Sequence, residues 1–126
     1  MSFLERLGER SSLTSRQLES LSSYLRVASG EIRLREAAAL VSQGRSKGRP
    51  DGPVSIGSYY RTVSQARSNV RQSLVTVVVA IRLGAIKVED VRRFLELVSG
   101  GARELSEKEA NRFLQLLEAL LRRMVV

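Results

Sequence analysis

The side chains able to do chemistry in this sequence are arginines, hydroxyls, amides and carboxylates, because it contains no histidine and no cysteine. That absence removes imidazole bases, thiolate nucleophiles, disulfides and zinc sites of the Cys/His kind. The only adjacent carboxylates, Glu89 and Asp90, fall where the first turn of a helix is expected, and a helix dipole explains them better than catalysis does. Glu104, Glu107 and Glu109 cluster in the same way around Ser106. No Gly-rich phosphate loop is present. The reading is therefore of a protein that is not an enzyme and needs no cofactor, with no small-molecule ligand in evidence.

What stands out instead is a set of hydrogen-bonding side chains on one helical face. On a wheel of 100° per residue, Tyr59, Val63, Ala66, Val70 and Leu74 fall within about 80° of one another and form the apolar side of a helix. Opposite them lie Arg61, Ser64, Gln65 and Ser68, with Asn69 and Gln72, while Tyr60, Arg67 and Arg71 flank the apolar side. No acidic residue occurs between Pro53 and Lys87. An ordinary solvated helix mixes acids with bases, since opposite charges four residues apart support it. This one carries Arg and short polar side chains, the types that bond base edges and phosphate oxygens in a major groove. Ser55 is the expected N-cap, where free N–H groups and the dipole favour a phosphate.

The global charge agrees. Twenty-one basic residues face 13 acidic ones, for a net charge of +8. Eighteen of the basic residues are arginine, whose planar fork suits phosphate and guanine. Residues 31–82 hold nine basic and three acidic side chains, and so carry six of the eight net charges. Such a basic middle favours a polyanionic partner.

These residues must be held by a frame, and the pattern predicts an all-α protein of five to six helices in a single domain spanning 1–126. A short helix is expected over 2–10. A second opens at the capping box of Thr14 and Gln17 and stops at Gly30. A third is expected over 31–42. Residues 43–54 concentrate Gly, Pro and cations and read as a loop. The helix that follows runs to Gly84. Its β-branched stretch 75–81 is read as helical, interrupted or bent near Thr76, and as a strand it would make the architecture a winged helix. Further helices are expected over 88–98 and from the capping box of Ser106 and Glu109. The last, 106–124, presents Phe113, Leu117, Leu120 and Met124 at the spacing of a pairing seam, which predicts a homodimer.

Residues 32–41 (IRLREAAALV) look like the first helix of a helix-turn-helix, and 54–61 (VSIGSYYR) resembles the start of recognition helices in archaeal and bacterial helix-turn-helix regulators. The likeness covers about 40 residues and departs from the usual pattern in its connection, which spans about twelve residues rather than three or four. Within that connection, 47–50 (KGRP) is similar to the Gly-Arg-Pro core of minor-groove AT-hook peptides, although Asp51 stands where those peptides carry another cation.

The expectation is a duplex DNA-binding transcriptional regulator or chromatin-associated factor, with a recognition helix from about Ser55 to Leu74. Arg61, Ser64, Gln65 and Ser68 would meet base edges. Arg45, Lys47, Arg49, Ser55, Tyr60, Arg67 and Arg71 would contact phosphates. The alternatives are a non-enzymatic protein-interaction module and an RNA-binding protein, the latter disfavoured by having only six aromatic residues. The first ten residues lack an apolar core, and no apolar run approaches a membrane span, so the expected setting is cytoplasmic, or nucleoid-associated in a prokaryote.

Overall fold

A computed structural model describes residues 2–43, 55–100 and 105–126. Among these the protein is all-α, with six helices: α1 (Phe3–Glu9), α2 (Ser15–Ala28), α3 (Leu34–Gln43), α4 (Ile56–Leu83), α5 (Val88–Gly100) and α6 (Glu107–Met124). None of the described helices is long and apolar enough to cross a membrane. The stretch 75–81 is helical and lies inside α4, so no strand forms there and the winged-helix alternative does not arise.

Local chemistry accounts for the boundaries. The Thr14 hydroxyl accepts from the Gln17 N–H while the Gln17 side chain accepts from the Thr14 N–H, and Ser106 and Glu109 repeat the exchange at α6. Each box satisfies two amide donors that a helix start leaves unpaired. Two glycines stop helices by entering the left-handed region, Gly30 at φ 80° and Gly84 at φ 82°. After Gly30 the chain folds back, with Gly30 N–H bonded to Val27 O and Glu31 N–H to Arg26 O. Gly84 repeats this with Ile81 O and Ala85 N–H with Ala80 O. Both are Schellman turns, which need a residue without Cβ strain at positive φ. The first turn spends the Glu31 and Ile32 amides on Arg26 O, so α3 begins at Leu34, three residues later than expected.

The chain forms two compact units, one of residues 8–72 and one combining residues up to Leu7 with 73–126, and α4 contributes to both. In the first unit α3 and α4 share the core. Ala37, Ala38 and Val41 are buried with Tyr59 and Val63, flanked by Tyr24, Val27, Ile32 and Leu34. The small side chains at 37 and 38 leave room for a neighbouring helix to approach closely.

α2 is joined to that core by a polar device. The Tyr59 phenol donates to Ser20 O at 3.1 Å and lies 2.6 Å from Ser23 Oγ, which is itself 3.0 Å from the same carbonyl. Burial pushes the Tyr59 phenol above its ordinary pKa; the bond to Ser23 opposes the shift, and Tyr24 and Tyr60 add to it. This polar niche explains an inversion within α2, where Ser20 and Ser23 are buried while Leu25 is 60% exposed.

In the second unit Ala110, Leu114, Leu117 and Met124 of α6 are buried, and the Phe113 ring meets Phe3 edge-on at 5.5 Å. The expected pairing stripe of Phe113, Leu117, Leu120 and Met124 takes part in this packing. Leu117 and Met124 are enclosed by the chain's own packing, Phe113 is engaged by Phe3, and Leu120 is half-buried.

Candidate nucleic-acid interface

The described part of the expected interface lies on the first four turns of α4, inside the unit of residues 8–72. Ser55 caps this helix, its hydroxyl accepting from the Ser58 N–H at 3.1 Å and its carbonyl accepting from the Tyr59 N–H at 2.9 Å. Cap and core together set the helix. Tyr59, Thr62, Val63 and Ala66 are its buried residues, and they define one side.

On the opposite side Arg61, Ser64 and Gln65 are exposed and Ser68 is half-buried. Helical geometry places these four within about 100° of one another, over two turns. Ser68 is partly occupied, since its hydroxyl accepts from Gln72 Nε2 at 3.3 Å. Arg67 and Arg71 are exposed on the flank that faces α2. None of Arg61, Arg67 and Arg71 is ion-paired to a described carboxylate, while Arg26 pairs with Glu31 and Arg93 with Asp90. Guanidinium groups in that condition keep their donors for another acceptor.

The arginine flank has a floor. Leu21, Tyr24 and Leu25 of α2 and Val70 of α4 line an open groove of about 600 Å³ with Arg67 and Arg71. The arginine stems cover apolar surface there, an arrangement that lets the charged heads reach water or a ligand. Tyr60 stands nearby, 45% exposed, its ring against Tyr24 at a centroid distance of 6.0 Å. That contact orients the ring and leaves the phenol available at the edge.

One residue of the polar face has another duty. Asn69 donates to Ser12 O at 2.7 Å and to Gln17 Oε1 at 3.2 Å, and accepts from Ser12 Oγ at 2.7 Å. It ties α4 to the α1–α2 turn and to the capping box of α2, so it supports the helix rather than presenting a group outward. The apolar side also ends sooner than periodicity suggests. Val70 is 39% and Leu74 is 63% exposed, so the expected core face is closed only as far as Ala66.

Arg45, Lys47 and Arg49 lie outside the described residues. The twelve residues 44–55 between α3 and α4 are as many as the sequence suggested. Sequence reasoning missed the exposed apolar side chains from Leu74 to Leu83, and a signal was available. A helix apolar on all sides needs cover on all sides. No protein-family model, curated protein or solved structure matches the chain.

Proposed function

We propose that this chain binds duplex DNA through α4 and acts as a transcriptional regulator or chromatin-associated factor. The observation that carries the reading is the outer face of the first four turns of α4. There Arg61, Ser64 and Gln65 stand exposed, on a helix with no acidic residue and with Arg61, Arg67 and Arg71 not paired to any described carboxylate. Arg and Gln there can bond guanine and adenine edges in pairs, and Ser can bond either. Arg67, Arg71, Tyr60 and Ser55 sit at the flank and start of the helix, where phosphates run beside a helix seated in a major groove. Arg45, Lys47 and Arg49 add charge from the preceding connection. A dimer would carry two such faces and address half-sites about one helical turn apart.

Fluorescence anisotropy with duplex DNA, single-stranded DNA and RNA at two salt concentrations tests the reading. Duplex DNA is expected to bind best, with log affinity falling against log salt by about 0.9 per phosphate contact. Arg71→Ala should reduce that slope by about one unit. Arg61→Ala and Gln65→Ala should change the preferred sequence, by on the order of 1–3 kcal/mol at one base pair for a bidentate contact. Stronger binding to RNA, or binding to none of the three, refutes the proposal.

A further inference from the structure

The last three turns of α4 present a run of exposed apolar side chains. Leu74 is 63% exposed, Val75 60%, Val77 37%, Val78 58%, Val79 49% and Leu83 78%, and no residue of α4 beyond Ala66 is buried. Five β-branched residues in succession, 75–79, are a poor helix sequence in isolation, because each loses side-chain freedom against the preceding turn. A helix of such residues is held by packing rather than by propensity. Here the chain's own packing holds the side of Ala80 and Ile81, which are half-buried, and leaves the valine side in water.

We infer that this surface is the seat of a second copy of the same chain, joined antiparallel about a two-fold axis through the middle of the 74–79 segment. The area is of the right order. The six side chains leave on the order of 500 Å² in water, at the upper end for a patch on a lone monomer and more than half of the ~800 Å² that each partner contributes to a standard interface. Rim side chains supply the remainder. The chemistry selects like for like. From Ser73 to Leu83 the only charged residue is Arg82, so nothing in the patch recruits a partner of opposite charge. An uncharged apolar surface is complementary to itself, which is what a two-fold interface requires. The shape agrees as well. Leu74 with Val78 and Val75 with Val79 form two i,i+4 ridges, and the groove between them accepts the same ridge from another helix. In that arrangement Leu74 and Val75 of each copy lie beside Val78 and Val79 of the other. Arg71 and Arg82 bracket the patch, where long stems keep their charges in water. They repel their counterparts weakly, so added salt strengthens the pair, the reverse of its effect on DNA binding.

Sedimentation velocity on the full chain tests this without nucleic acid, so its outcome is independent of the DNA-binding reading. The wild type is expected to form dimers with a dissociation constant on the order of micromolar, held or tightened by salt. Val78→Asp and, separately, Val75→Asp should weaken the dimer by at least about 100-fold with helical content by circular dichroism unchanged, since both side chains are exposed in the single chain. Because the chain has no native cysteine, Val78→Cys should be linked by a short bis-maleimide, and Gln115→Cys on exposed α6 surface should not. A wild type that stays monomeric at about 100 µM overturns the inference, whether the patch then proves to take a foreign protein or nothing. A dimer that survives both aspartates and links through Gln115→Cys overturns it equally.

Discussion

Removing one oxygen, in Tyr59→Phe, probes how α4 is held. The ring is 1% exposed and keeps its packing against Ala37, Ala38, Val41 and Val63 as phenylalanine. What goes is the donor to Ser20 O and the partner of Ser23 Oγ. The loss is limited because Ser23 can still donate to Ser20 O at 3.0 Å, so that carbonyl is not orphaned. The expected destabilisation is about 1–2 kcal/mol, the net value of a buried hydrogen bond with a partly satisfied remainder. The pH dependence supplies a second reading. Burial raises the native pKa of the phenol above its unfolded value, so the native state binds more protons at alkaline pH. Its contribution is complete below about pH 10 and is lost as pH rises through the native value, with a slope no steeper than about 1.4 kcal/mol per pH unit. The advantage of wild type over Tyr59→Phe should therefore shrink above pH 10. Urea denaturation followed by circular dichroism, at neutral pH and in that range, measures both. Equal stability at neutral pH, or a difference that widens with alkalinity, would refute the account of the niche.

The neighbouring substitutions are expected to behave differently from one another. Ser20→Ala removes a buried hydroxyl that has no hydrogen-bond partner and leaves the carbonyl that Tyr59 uses, so stability should be unchanged or raised by up to about 1 kcal/mol in the same assay. Asn69→Ala breaks three contacts to Ser12 and Gln17 and should cost about 1–2 kcal/mol; a variant as stable as wild type would mean that this tie is unimportant. Gly84→Ala forces a side chain into φ 82° and should cost on the order of 1–2 kcal/mol by thermal melting, whereas a melting temperature equal to wild type would argue against the Schellman turn.

The sequence made the ends of elements legible because their chemistry is local. Thr14 with Gln17, Ser106 with Glu109, and the glycines at 30 and 84 each act within a few residues, and each does what the pattern implies. The inner side of α4 was legible as far as Ala66 for a related reason, since periodicity reveals which residues share a face. It does not reveal how far neighbouring helices extend along that face, and so Val70 and Leu74 were assigned to a core that does not reach them. The packing of the stripe on α6 was hidden for the opposite cause. Spacing identified an apolar row but could not tell that Phe3 and the chain's own packing would occupy it. Buried Ser20 and Ser23 were invisible to hydropathy, because their burial answers a hydroxyl 36 or more residues away. The polar face was read from composition, and Asn69 shows the limit of that reading, since the same amide serves equally to grip a turn.

The buried phenol of Tyr59 also has a bearing on aim. Successive residues on a helix point about 100° apart, so a slip of one residue in how α4 seats would swing Arg61 and Gln65 by that angle. Greasy contacts between alanines and valines tolerate small rolls about the helix axis, because attraction between such groups has little directional character. The bonds from Tyr59 to Ser20 and Ser23 do not, since hydrogen bonds weaken steeply off line. They index the rotational phase of α4, two residues before its outward arginine, in the way a keyway fixes a shaft.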